Sequence, residues 1–361
     1  MTRRFPELGC YGLAGHAAAP DLVLEEARRA EELGFGAMFL SERFTTKDAG
    51  VLAGAVAAST TSIGIGTAAT NHNTRHPLVT ATMATTMHRL SHGRYALGLG
   101  RGFDVLFDVM GLPRVTGAQL EDAMDIYRRL WRGEAVAGHD GPAGQFPWLQ
   151  QDATQNERIP ILMMAIGARS LELAGRIADG VVLHTFFTDE TLARAVAAVR
   201  RAAEQAGRDP GSVRIWSVLA TVPDHISEDA RLVKLVGRLA TYLQGYGDVL
   251  VRANGWEPTV LQRFREDPLV QGINGAIDAV GTTEQLLDLR ERLLPDEWLT
   301  ASATGGPDQC AARIADQFTA GADSVILHGV QPDEVADVLT SWAVARSTGL
   351  DVLPANPGWM N

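Results

Sequence analysis

Short apolar runs alternate along this chain with longer segments that carry apolar residues at helical spacing. This pattern constrains the fold more than any other feature. It calls for a parallel sheet, because parallel neighbours must be joined by crossovers long enough to bring the chain back to the same end. The runs read as strands are Leu8–Leu13, Ala37–Leu40, Ser62–Thr67, Arg94–Gly98, Ile159–Met164, Gly180–His184, Val213–Val222 and Ser324–His328. Ile161-Leu162-Met163-Met164 and Ser324-Val325-Ile326-Leu327 are nearly continuous, as expected of strands buried on both faces.

The covering helices carry their own start and stop signals. Asp21 is placed to cap a helix with Val23, Ala27 and Ala30 on its apolar face, ended by Gly34. Pro77 suits the first turn of a helix reaching about Leu90. Leu120, Met124, Tyr127 and Leu130 repeat at helical spacing over Gln119–Trp131. Glu172–Ile177, Glu190–Ala206, Asp308–Ala320 and Asp333–Arg346 complete the set. Eight such units either close a barrel or form an open doubly wound sheet. No Gly-x-Gly-x-x-Gly follows the first strand, which disfavours the dinucleotide-binding open sheet. Gly98-Leu99-Gly100-Arg101-Gly102 is glycine-rich but follows the fourth strand. The expected fold is therefore an α/β (β/α)₈ TIM barrel, one domain over residues 1–361. Two segments interrupt its period. Gly133–Asn156 reads as a loop or short hairpin. Asp224–Thr300 reads as an insertion between strands seven and eight, helical over about Glu228–Ala253, Thr259–Glu266 and Thr283–Arg292, with a glycine-bearing piece at Gly272–Gly281.

Composition narrows the function classes. A formal charge of −11 argues against nucleic acid or an anionic membrane as the main partner. Two cysteines, Cys10 and Cys310, make neither a disulfide framework nor a cysteine metal cage, and they suit a reducing cytoplasm. The charge-free stretch Ala49–Thr74 is too rich in Gly, Ser and Thr for a membrane span. It reads as a buried helix, a turn and a buried strand.

In a barrel of this kind, chemistry sits in the loops after the strands. Ser41-Glu42-Arg43 follows strand two, and Ala68-Ala69-Thr70-Asn71-His72 follows strand three. Arg101-Gly102-Phe103 follows strand four, Gly167-Ala168-Arg169-Ser170 follows strand five, and His184 and His328 end strands six and eight. Gly167–Ser170 opens a helix, and free N–H groups at a helix N-terminus bind anions. Arg169 and the Ser170 hydroxyl would add charge and a further donor. On spacing alone the same four residues also suit an ordinary strand-to-helix turn. The histidines have no metal-ligand spacing, and no Gly-x-Ser-x-Gly elbow is present.

Taken in order, several of these pieces resemble the luciferase-like monooxygenase superfamily. They are Gly34-Phe35 with Ser41-Glu42-Arg43-Phe44, Gly66-Thr67-Ala68-Ala69 with Arg75-His76-Pro77, and Leu90-Ser91-His92-Gly93-Arg94 with Leu97-Gly98-Leu99-Gly100-Arg101-Gly102. Ile159-Pro160-Ile161, Ala165–Ser170, Ala178-Asp179-Gly180 and Gly321-Ala322-Asp323 continue the series. The Glu-Arg pair, the alanine-rich composition and the long insertion look most like the actinobacterial F420-dependent oxidoreductases. The resemblance implies the same barrel, commonly dimeric, with coenzyme F420 or alternatively reduced FMN at its C-terminal face. It implies a non-proline cis peptide at Ala68–Ala69 under the cofactor ring, with Asn71 and Arg101 alongside. It also implies a phosphate on Gly167, Ala168, Arg169 and Ser170.

One departure matters. The family's acid–histidine pair after strand two is Glu42-Arg43 here, and arginine does not release a proton at neutral pH. Arg43 is left to stabilise negative charge, and Glu42, His72 or His184 to move a proton. Three activities follow: an F420-dependent oxidoreductase acting on a small organic substrate, an FMN-dependent monooxygenase, and a cofactor-binding protein without turnover. Tyr242, Tyr246, Trp256 and Phe264 of the insertion either line an apolar pocket or pack the insertion onto the barrel.

Overall fold

The computed structural model describes residues 4–14 and 19–360. Its strands are β1 (Phe5–Tyr11), β2 (Phe35–Leu40), β3 (Gly64–Thr67), β4 (Tyr95–Leu99), β5 (Val136–Gly141), β6 (Gly144–Leu149), β7 (Ile161–Met164), β8 (Gly180–Val182), β9 (Arg214–Pro223), β10 (Ser302–Gly305) and β11 (Ser324–His328). Eight of them run parallel in the order β9-β11-β1-β2-β3-β4-β7-β8, and β8 pairs back onto β9 through Gly180–Arg214, Val181–Ile215 and Val182–Trp216. That last pairing closes the sheet into a barrel and leaves those eight strands no free edge. The expected (β/α)₈ barrel is the observed one.

The remaining strands account for the irregular segments. β5 and β6 form an antiparallel hairpin inside Gly133–Asn156. β10, which the apolar pattern did not announce, pairs in parallel with the last four residues of β9. β1 ends at Tyr11, before a turn over Gly12–Ala14, and β8 ends at Val182, so His184 lies in the loop rather than in the strand.

Local chemistry explains most helix ends. Asp48 caps Ala49–Ser59 by accepting the Val51 amide at 3.0 Å. Pro77 occupies the first turn of Pro77–Leu90, and Thr116 with Gln119 forms a capping box on Gly117–Trp131. The expected cap at Asp21 is not there. Asp21 lies within a 3-10 turn over Pro20–Leu22, and the helix Val23–Leu33 starts from Leu22 without a side-chain cap. Glu25 and Glu26 in its first turn meet the helix dipole instead. Gly34 ends this helix at φ 89°, a conformation open to glycine. The charge-free stretch Ala49–Thr74 is a helix, β3 and a 3-10 turn. No described helix is long and apolar enough to cross a membrane.

The barrel interior is filled by Ala37, Phe39, Ala68, Ala96, Leu162, Val182, Trp216, Val218 and Ile326, with Tyr11 and Met164 packed against them. Phe39 and Trp216 meet edge to face, centroids 5.0 Å apart. They fit because β1 and β3 carry glycine opposite them: a Cβ at Gly9 or Gly66 would come within 2.9 Å of the Phe39 ring. Large rings here require missing side chains there, and the two ring positions thereby fix the barrel's filling.

The floor is built by the chain's last residues. Asn356 Nδ2 donates to the Gly93 and Tyr95 carbonyls at 2.8 and 2.7 Å, and its Oδ1 accepts the Gly358 amide at 2.9 Å. Trp216 Nε1 donates to the Pro357 carbonyl at 2.8 Å, and the buried Arg214 guanidinium donates to the carbonyls of Pro6 and Asn356. This segment satisfies polar groups at the N-terminal ends of β4 and β9, and Arg214 of β9 in turn serves β1. Asn356→Ala leaves the Gly93 carbonyl and the Gly358 amide unpaired and takes from the buried Tyr95 carbonyl the shorter of its two side-chain bonds. It is expected to cost about 1–3 kcal/mol, read as a lower midpoint in urea at unchanged slope.

Candidate active site

At the opposite end, a backbone irregularity marks the mouth of the barrel. The peptide between Ala68 and Ala69 is cis, where the sequence resemblance places it. Neighbouring strands clamp it from both sides. The Ala68 amide donates to the Leu40 carbonyl at 2.8 Å, and the Glu42 amide donates to the Ala69 carbonyl at 3.0 Å. From the other side, the Thr70 amide donates to Gly98 and the Gly100 amide to Thr70, both at 3.0 Å. Asn71 Nδ2 adds a bond of 2.8 Å to the Gly100 carbonyl.

Glu42 anchors this arrangement. One carboxylate oxygen accepts the Ala49 amide at 3.1 Å; the other accepts the Thr70 hydroxyl at 2.9 Å and the Arg75 guanidinium at 3.0 Å. Arg75 also pairs with Asp48. Sequence reasoning offered Glu42 as a proton carrier, whereas the structure commits both oxygens to fixed donors. His72 is buried in the 3-10 turn His72–Thr74, and its Nε2 has no partner among the described residues. Burial holds its pKa below the usual imidazole value. Arg101 sits on the rim, half exposed, with Nε donating to the Val115 carbonyl at 2.7 Å.

The turn after β7 is an uncapped helix start. Gly167 is the N-cap of Ala168–Ile177 in extended conformation and supplies no side-chain cap. The amides of Ser170 and Leu171 return to the Gly167 carbonyl, whereas those of Ala168 and Arg169 donate to nothing among the described residues. Arg169 is exposed beside them. The Ser170 hydroxyl is not the spare donor that the sequence suggested. It donates to the Gly167 carbonyl at 2.8 Å and accepts the Ile166 amide at 3.2 Å, which ties the turn to itself.

The rest of the mouth is aromatic. His184 Nδ1 lies 2.7 Å from the Thr185 carbonyl, so it carries the proton, and Nε2 accepts from the Tyr246 hydroxyl at 2.9 Å. Burial pushes the His184 pKa down to about 4 despite the Thr185 bond, and His328 is held well below the imidazole range by burial and the Arg238 charge. Thr185 Oγ1 and His328 Nδ1 are 3.1 Å apart. Tyr246 comes from the helix Arg238–Asn254, where its φ of −147° and ψ of 34° break the helical path. Its ring stacks on Phe103 at 4.8 Å and on Tyr242 at 5.5 Å. The insertion therefore reaches the mouth through Tyr242 and Tyr246. Trp256 stacks on Trp298 at 4.4 Å and Phe264 is fully buried, so both pack within the insertion. Sequence reasoning missed the stack because the break at Tyr246 falls inside an otherwise regular helical period.

A closed parallel barrel with a clamped turn after β3 and an uncapped helix start at one mouth gathers there the backbone donors to which anions bind. The model of the luciferase-like monooxygenase family matches residues 6–324, and the chain belongs to that family. It is 28% identical over 310 residues to 5,10-methylenetetrahydromethanopterin reductase of Methanolobus tindarius, covering 84% of this chain and 89% of that one. It is 32% identical over 189 residues to the F420-dependent glucose-6-phosphate dehydrogenase of Beutenbergia cavernae, covering 48% and 55%. Its fold matches the coenzyme F420 dependent tetrahydromethanopterin reductase of Methanopyrus kandleri with a TM-score of 0.78 at 21% identity, over 94% of this chain and 99% of that one.

The two neutral histidines give the site a pH signature. Both have folded pKa values depressed below the ordinary 6.5 of an unfolded imidazole. Between that value and about 4 the unfolded chain binds more protons, so their contribution is intact above pH 6.5 and fades as pH falls. Near pH 5 the pair is expected to steepen the loss of stability by roughly 2–3 kcal/mol per pH unit. His184→Gln should remove about half of that slope, measured by urea unfolding at pH 5, 6 and 7.

Proposed function

We propose that this oxidoreductase of the luciferase-like family uses coenzyme F420, moving a hydride between the deazaflavin and a small organic substrate. One observation carries the reading: the clamped turn at Ala68–Asn71 and the open helix start at Gly167–Arg169 share a single barrel mouth. The named relatives that depend on F420 support it. The residues fit the cofactor. Free amides at Ala168 and Arg169, with the Arg169 guanidinium, suit a phosphate. Two alanine methyls at the bulge leave a low surface for a flat ring, and Asn71 fixes the Gly100 loop beside it. Ser170 keeps the turn shaped rather than touching the ligand, and Arg101 closes the rim.

Bound F420 supplies a ring carbon that takes or gives hydride. The protein then has to hold the substrate and handle one proton. Glu42 braces the bulge. Neutral His184 accepts from the Tyr246 hydroxyl and so orients it, and that hydroxyl is the group that reaches substrate and exchanges the proton there. Arg43 stabilises charge on the substrate side. His72, held in the core, positions its own turn.

In a fluorescence titration, purified protein is expected to bind F420 and to bind FMN at least about tenfold more weakly. Tighter binding of FMN sinks the deazaflavin assignment. Arg169→Glu puts a negative charge beside the phosphate and is expected to weaken F420 binding by about tenfold or more, with the melting temperature unchanged.

The protein is proposed to be a cytoplasmic homodimer. Both cysteines are free and buried, which suits a reducing compartment. The helix Ala49–Ser59 carries no charged residue, yet Val51 on it is 71% exposed. Beside it, Leu78, Val79, Met83 and Met87 line an apolar groove on the helix Pro77–Leu90. A second copy would cover both. Val79→Glu is expected to convert dimer to monomer in sedimentation, and a monomeric wild type would refute the dimer.

A further inference from the structure

Arg43 lies among the aromatic rings of the mouth, and its charge is answered by no ion pair among the described residues. Among the described residues its guanidinium has no hydrogen bond and no ion pair, although its backbone is fixed by pairing with Lys47. Its charge is felt across the mouth. It opposes the protonation of Lys47 and His328, and it draws down the phenols of Tyr11 and Tyr246 against the burial that raises them.

The neighbouring groups add no compensating anion. Lys47 is buried, with Nζ donating to the Leu13 carbonyl at 2.7 Å. Arg238 is buried and pairs with Asp278 at 3.2 Å. The carboxylates that act on this cluster are each engaged: Asp278 with Arg238 and Thr241, Glu26 with the Leu13 amide, Glu42 with Arg75 and Thr70. His184 and His328 are neutral. A protein of net charge −11 thus keeps a local cationic excess at its barrel mouth, which concentrates anions there.

The surface around that charge is aromatic. Phe103, Tyr246, Tyr242 and His328 form a row with successive interplanar angles of 12°, 22° and 15°. Tyr11 packs edge-on against His328 at 4.9 Å. Phe103 is 37% exposed and Tyr11, Tyr242 and Tyr246 keep part of their surface open. Rings stacked in a row spend their faces on one another and present their edges, which meet the face of a flat ligand, and a guanidinium pairs with a carboxylate or phenolate through parallel N–H donors.

We propose that the mouth takes a flat, conjugated organic anion as substrate, its carboxylate or phenolate oxygen on the Arg43 guanidinium and its ring against the Phe103–Tyr246–Tyr242 row. The subsite stands on these residues alone. It rests on the F420 reading for the reaction that follows.

The same guanidinium could instead answer an anionic group of the cofactor, and a matched pair of probes separates the two. Cinnamate and its neutral isostere cinnamamide are titrated into the protein, with and without F420, by thermal shift and tryptophan fluorescence. Wild type is expected to bind the acid at least about tenfold more tightly than the amide, and R43Q to bring the two within about threefold. Equal affinities in wild type, or a preference that survives R43Q, overturn the proposal. So does an R43Q protein that loses F420 affinity while keeping the acid preference, since Arg43 then serves the cofactor. If R43Q fails to fold, wild type decides the matter. Cinnamate, but not cinnamamide, is expected to shield Arg43 from phenylglyoxal in peptide mass spectra, and no shielding overturns the assignment. An acid preference in a protein that ignores F420 keeps the subsite and removes the cofactor reading instead.

Discussion

The carboxylate of Glu42 holds the mouth together. It reaches from the end of β2 to the Ala49 amide, to Thr70 beyond β3, and to Arg75 ahead of the helix Pro77–Leu90. Its own amide meanwhile holds the Ala69 carbonyl. One side chain thus joins two strand ends to the cis bulge between them. A half-buried arginine and a carboxylate that keeps 5% of its surface form a pair whose parts are costly to leave alone. The positions of Ala68, Ala69, Asn71 and the Gly100 loop all follow from that clamp.

The clamp also divides labour between neighbours in sequence. Glu42 is spent on architecture, while the Arg43 guanidinium beside it makes no ion pair among the described residues. In the reading proposed above, the proton falls to groups brought from elsewhere: His184 after β8 and Tyr246 from the insertion. Sequence places Tyr246 some sixty positions from His184, and only the broken helix path at Tyr246 brings the hydroxyl to the imidazole. The reactive end of the barrel is assembled from a rigid side, built by β2 to β4, and a side supplied by the insertion helix.

Much of the fold was legible because it follows period and punctuation. The eight apolar runs, Gly34, Pro77 and the gap at Asp224–Thr300 all appear in the structure in the roles their chemistry implied. What escaped was set by tertiary contact. Asp21 looked like a cap, but Pro20 tightened the chain into a 3-10 turn around it. The Ser170 hydroxyl looked free, but Gly167 and Ile166 were closer than any ligand. The Glu42 partners lie up to 33 positions away, a separation no local pattern reports. The floor built by Asn356 and Pro357 has neither helical nor strand period, since its order comes from side-chain bonds to distant carbonyls.

That floor has a consequence for how the molecule comes into being. A ribosome releases β1 to β4 long before residue 356 exists, yet the lower rims of β4 and β9 find polar partners at residues 356 and 357. Until then the nascent barrel carries an open, polar-starved base beneath Trp216. Completion therefore waits on the synthesis of residues 356–358, and a ribosome paused ahead of those codons would present chaperones with a barrel that has walls and a mouth but no ground to stand on.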